Sequence, residues 1–137
     1  MNVSFLKKSL TYCLLVTKPA YGTQQATNAW RFANTLITEG HILKRVFFYQ
    51  EGVYNGNQLI SQSSDEFNLL MGWKTLAHKT KCQLYICSSA ALRRGIIDET
   101  EAKNNRLPCA NLDKDFELSG LGSLAESMFI CDRTIQF

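Results

Sequence analysis

The segment that most restricts the fold is Tyr12-Cys-Leu-Leu-Val-Thr17, an unbroken apolar run closed by Lys18 and Pro19. It shows no polar alternation, so it reads as a strand that loses water on both faces, which requires a layer of packing above it and another below. From Thr23 to Glu39 the apolar positions Ala26, Ala29, Trp30, Ala33, Leu36 and Ile37 then recur at helical spacing. Gly40 follows as the residue best suited to a left-handed helix stop. A doubly buried strand feeding an amphipathic helix is the opening half of a parallel crossover unit.

The pattern repeats along the chain. Ile42 to Tyr49 reads as a second strand, and Gly52, Asn55, Gly56 and Asn57 mark an extended loop beyond it. Ser63-x-x-Glu66 has capping-box spacing and predicts a helix carrying Phe67, Leu70, Met71, Leu76 and Ala77, with His78, Lys79 and Lys81 at its negative end. Gln83-Leu-Tyr-Ile-Cys87 is a short strand, after which Ser88 or Ser89 is expected to cap a brief helix running to Arg94 before Gly95. A further helix is expected over Asp98 to Asn105, with Asp98, Glu99 and Glu101 as charges near its N-terminus. A fourth strand follows at Phe116 to Leu118, then a helix through Leu121, Leu124, Ala125, Met128 and Phe129, and a last strand over Arg133 to Phe137.

This alternation predicts one three-layer α/β/α domain over residues 11–137, with a mainly parallel sheet of about five strands and right-handed crossovers. Residues 1–10 stand ahead of the first strand, and the family likeness drawn below implies that they are an N-terminal extension open to disorder.

Composition narrows the function. The net charge of +3, with 20% charged residues, is too mild for the dense phosphate neutralisation that direct nucleic-acid binding needs. The apolar runs fall far short of the roughly 20 residues that span a bilayer, and the basic start is not followed by a clean signal-peptide core, so a cytoplasmic protein is expected. Five cysteines without a C-x-x-C pair point to a reducing compartment. With only His41 and His78 present, no zinc site of ordinary spacing is indicated.

In open parallel sheets ligands collect beyond the carboxyl ends of the strands, and three segments should meet there: Pro19 to Thr23, Glu51 to Asn57 and Cys87 to Arg94. Cys87 combines a strand end, a following helix whose amides present positive potential, and Arg93 and Arg94 nearby, each of which favours a thiolate. It can equally be read as a small apolar packing residue. The two arginines suit either an anion at Cys87 or a solvated helix end, and Tyr21-Gly22 before a helix suits either a phosphate cradle or a plain tight turn. Cys109, in a loop, is the rival thiol, while Cys13 reads as core. Tyr54 and Trp73 read as packing residues or as part of an apolar interface, ahead of a stacking platform.

Several motifs resemble those of the DsrE-like family. They are Pro19-Ala-Tyr-Gly-Thr-Gln-Gln-Ala26, Val46-Phe-Phe-Tyr49 with Glu51-Gly-Val-Tyr-Asn55, Ile86-Cys87 with Ala90-Ala-Leu-Arg-Arg-Gly95, and Asp98-Glu-Thr-Glu-Ala102. Leu118-Ser-Gly-Leu-Gly122, Leu124-Ala-Glu126, Cys131-Asp-Arg133 and Gln136-Phe137 extend the likeness to a sulfurtransferase branch of that family. The resemblance implies a persulfide relay with Cys87 as the sulfur carrier, no organic cofactor and no metal. It further implies TusB-like and TusC-like partner subunits in a heterohexamer, a TusA-like sulfur donor and a TusE-like acceptor, serving 2-thiolation of the tRNA wobble uridine without direct contact to tRNA. Two other readings are a flavodoxin-like module holding a nucleotide or flavin, and a non-catalytic scaffold subunit.

Overall fold

A computed structural model describes residues 8–137, and the greater part of the expected N-terminal extension, residues 1–7, lies outside the described residues. Within the remainder, Ser9 Oγ donates to Gly40 O and Leu10 N–H donates to His41 Nδ1. The first strand, β1 (Thr11–Val16), leads into α1 (Gln25–Thr38) and β2 (Ile42–Phe48). Gly40, at φ +87°, ends α1: its N–H donates to Ile37 O and the N–H of His41 to Leu36 O, the paired bonds of a Schellman stop.

After β2 the chain does not form the open loop that its glycines suggest. Gln50–Gly56 winds into a 3-10 turn in which Gly52, Val53, Asn55 and Gly56 are buried. A Cβ on Gly52 would run into the carbonyl of Val16, and one on Gly56 into the side chains of Ile86 and Leu112. These glycines are required for close approach of backbone to neighbours.

The capping-box reading needs correction. Ser63 N–H does donate to Glu66 Oε2, but α2 spans Leu69–Thr80, and its cap is Asn68, whose side chain accepts from Met71 N–H. Asn68 keeps an extended backbone and so resets the helix start. At the other end His78 and Lys79 occupy the last turn of α2, and Lys81 takes the left-handed cap. The remaining elements are β3 (Gln83–Cys87), α3 (Ser88–Arg93), α4 (Glu99–Asn104), β4 (Phe116–Ser119), α5 (Leu121–Ile130) and β5 (Arg133–Gln136). Asp98, expected only as a charge near the helix start, is the N-cap of α4 and accepts from Glu101 N–H.

All four strand pairings are parallel, in the order β4-β3-β2-β1-β5. The chain steps outward from β1 to β4 and returns across the sheet through α5 to place β5 beside β1. With right-handed crossovers, that reversal puts α5 on the face opposite α1 and α2. Side chains bear this out: Phe48 meets Trp73 of α2 edge to face, while Arg45, three residues earlier, reaches Ser127 and Glu126 of α5. The predicted α/β architecture, a parallel five-stranded sheet flanked by helices, is thus the observed one.

The core joins Leu14, Val16, Val46, Phe47, Phe48, Ile86 and Trp73. Trp73 is fully buried, and its indole N–H donates to Asn55, so of its two readings packing holds and interface does not. Among the exposed large apolar side chains, four fall on α5: Leu121, Met128, Ile130 and, 90% exposed, Phe129.

Because backbone fills the space in front of Gly52, Gly52→Ala is expected to lower stability by about 1–3 kcal/mol, the usual range for overpacking a tight site. Thermal unfolding of the variant beside the parent chain measures it, and an unchanged Tm would mean that the turn can back away from β1.

Candidate functional site

Cys87 is the last residue of β3, in register with Ser119, the last of β4. Helix α3 starts at the very next residue. The expectation that Ser88 or Ser89 caps this helix therefore shifts by one position: Cys87 itself occupies the N-cap, with no side-chain cap bond. Its sulfur lies 3.5 Å from Ser89 Oγ, and the hydroxyl of the exposed Ser89 is a polar group able to share a hydrogen with it. Cys87 is 1% exposed. The thiol thus sits at the strand end the sequence indicates, but beneath the surface of the isolated chain.

The two arginines part company. Arg93 is exposed in the last turn of α3. Arg94 is half-buried and turned toward the 3-10 turn: its Nε and Nη2 donate to Glu51 Oε1 at 3.0 and 2.9 Å, and Nη1 donates to Ala90 O at 3.1 Å. Its positive charge is therefore answered by Glu51.

Tyr21 and Gly22 stand elsewhere on the same rim. Tyr21 OH donates to Phe67 O, Gly22 takes φ +103°, and both line an open cavity of about 320 Å³ with Thr23, Thr27, Glu66 and Phe67. Cys87 does not line it. The positive φ makes the tight-turn reading of Gly22 sufficient for its presence.

What secures the rim is a set of contacts that local sequence does not signal. The buried Asn55 amide donates to Lys18 O and Gly52 O while its oxygen accepts from Trp73, joining the loop after β1, the turn after β2 and helix α2. Glu51 then ties that turn to α3. Partners lying 18 to 43 residues apart leave no periodic trace.

The other thiols differ sharply. Cys109 is exposed, whereas Cys13, Cys82 and Cys131 are buried. Burial pushes the Cys13 thiol up to about 11 and raises those of Cys82 and Cys131. Among the described residues no three His, Cys, Asp or Glu side chains gather as a ligand set, and no helix is long and apolar enough to cross a membrane.

A model of the DsrE/DsrF-like family matches residues 11–137. Similar curated proteins include the sulfurtransferase TusD of Photorhabdus laumondii, 61% identical over 129 residues that cover 94% of this chain and 98% of that protein. The sulfurtransferases TusD of Proteus mirabilis and Cronobacter sakazakii are each 54% identical, covering 94% and 93% of this chain and 99% and 100% of theirs. The crystal structure of the YchN protein from E. coli superposes with a TM-score of 0.72 at 17% identity, over 95% of this chain and all of that one, a likeness of fold.

The Cys13 shift has a consequence for stability against pH. Its folded pKa lies above the unfolded value of 9.0, so its contribution is intact below about pH 9 and lost as pH rises through about 11. Cys13→Ala should therefore melt lower than the parent at pH 7 but lose less Tm between pH 9 and 11. Parallel curves for the two proteins across that window would mean that Cys13 titrates as an exposed thiol.

Proposed function

The chain belongs to the DsrE/DsrF-like family, and on that premise we propose that it is a sulfur-relay subunit in which Cys87 holds the transferable sulfur as a persulfide. The observation that carries this reading is the position of Cys87, at the carboxyl end of β3 where α3 begins, in a chain 61% identical to a named sulfurtransferase. Strand ends of parallel sheets are where this architecture places its chemistry.

The reaction needs no outside oxidant. The Cys87 thiolate attacks the terminal sulfur of a donor persulfide, a sulfur–sulfur bond forms on Cys87, and the donor cysteine leaves as thiolate. An acceptor thiolate then attacks the terminal sulfur now on Cys87, and Cys87 departs as thiolate in its turn. The Ser89 hydroxyl, 3.5 Å away, can donate a hydrogen bond to the sulfur. Burial keeps water and small oxidants from the persulfide between the two exchanges.

The relay we propose runs from a TusA-like donor to a TusE-like acceptor, toward 2-thiolation of the tRNA wobble uridine, within a heterohexamer with TusB-like and TusC-like subunits. The exposed apolar side chains of α5, Leu121, Met128, Phe129 and Ile130, support assembly, since large apolar groups left in water in such number are of the kind that protein contacts cover. Phe129→Glu should abolish co-purification with the partner subunits while leaving the chain folded. Undiminished recovery of the complex would move the interface off α5.

Cys87→Ser should stop sulfur transfer without loss of fold, because the hydroxyl cannot form a persulfide. The same substitution at Cys13, Cys82, Cys109 or Cys131 should leave transfer largely working. Incubation of each variant complex with a labelled persulfide donor, followed by peptide mass spectrometry, locates the added sulfur. Label on Cys109, or sulfur delivered by Cys87→Ser, would overturn the assignment.

A further inference from the structure

We infer that Glu51 is a positioning residue for the sulfur site: through Arg94 it clamps helix α3 closed over the Cys87 sulfur. This rests on the sulfur-carrier reading for its purpose, but the geometry stands apart from it. Cys87 is nearly inaccessible, yet a carrier thiol must be reached twice in each cycle. Of the segment that starts at Cys87, α3 is only six residues long, with Ala90 and Ala91 as its buried side chains. Two alanines supply little apolar anchoring of the helix itself, and the next buried anchor, Ile96, lies beyond its end with its N–H donating to Ala91 O, so polar ties weigh heavily in holding the part nearest Cys87.

Arg94 makes those ties. Its Nη1 holds the carbonyl of Ala90, three residues from Cys87, while Nε and Nη2 both reach Glu51 Oε1. From its place at the C-cap, Arg94 thus reaches back to the middle of the helix with one nitrogen and across to the 3-10 turn with the other two. The turn itself cannot yield easily, because Gly52 lies against the Val16 carbonyl and Asn55 is bonded to Lys18 O. Asn111 adds a tie beyond α3, donating to Gly95 O and accepting from Ile97 N–H, but it reaches no residue of the helix in those bonds. Without Glu51, Arg94 loses its fixed anchor, and local opening of α3 becomes more frequent.

The test is alkylation of the full chain by iodoacetamide under native conditions, read cysteine by cysteine by mass spectrometry. Glu51→Ala should raise the Cys87 rate about fivefold, the change in open population for a pair at the upper end of the exposed range. Cys13 and Cys82, buried elsewhere, should keep the parent rates, which separates local opening from general loosening. In an Arg94→Ala background, Glu51→Ala should add no further rise, since both changes release one clamp.

An unchanged Cys87 rate, a rise shared by Cys13 and Cys82, or full additivity of the two substitutions would each overturn the clamp. The alkylation assay uses no sulfur donor, so its outcome is independent of the labelled-persulfide experiment. A failure of Cys87 to take up sulfur would be seen there and not here.

Discussion

The working edge of this protein depends on one close approach, that of Gly52 to the end of β1, where any side chain at residue 52 would occupy the position of the Val16 carbonyl. That contact seats the 3-10 turn on the sheet, and Tyr49 N–H donating to the same carbonyl draws β2 into line with it. Asn55 then uses both ends of its amide to join the turn to the loop after β1 and to Trp73 beneath. Buried polar groups satisfied in this way are costly to disturb, because each bond lost strands a partner in the interior. From this base Glu51 extends to Arg94, and the cysteine-bearing helix is located as the last member of the series.

A sulfur carrier faces opposed demands. Its thiol must ionise and be reached, while its persulfide must survive between partners. Three buried cysteines illustrate one extreme, for burial raises their pKa and makes them poor nucleophiles. Cys87 is as well covered as they are, and stands where β3 ends and α3 begins, with the Ser89 hydroxyl beside its sulfur. A thiol held under a short, weakly anchored helix can be protected most of the time and available through small local openings.

Much of this architecture was legible in the sequence because it is written in local periods. Tyr12 to Thr17 could only be a doubly buried strand, the apolar spacing of α1 and α5 matched a helix, and Gly40 marked a stop whose Schellman bonds the structure contains. Cys87 fell at the strand end because Gln83 to Cys87 ends where helix-favouring residues begin. Where two local signals competed, reading faltered. Ser63-x-x-Glu66 offered a capping box, yet Asn68 won the helix start, and the glycines at 52 and 56 suggested an open loop where they in fact permit tight packing.

By itself, then, the sequence determined the elements, their alternation and the parallel sheet they imply, and it offered Cys87 as a strand-end thiol open to chemistry or to packing. Only the tertiary structure decided that Trp73 is core and α5 carries exposed apolar side chains, that Cys87 lies covered, and that Arg94 answers Glu51 in place of the thiol. The reason is one of range. Periodicity and capping are set by neighbours within a few residues along the chain, whereas burial and charge pairing depend on which distant segments meet, and Glu51 and Arg94 stand 43 residues apart until the sheet brings them together.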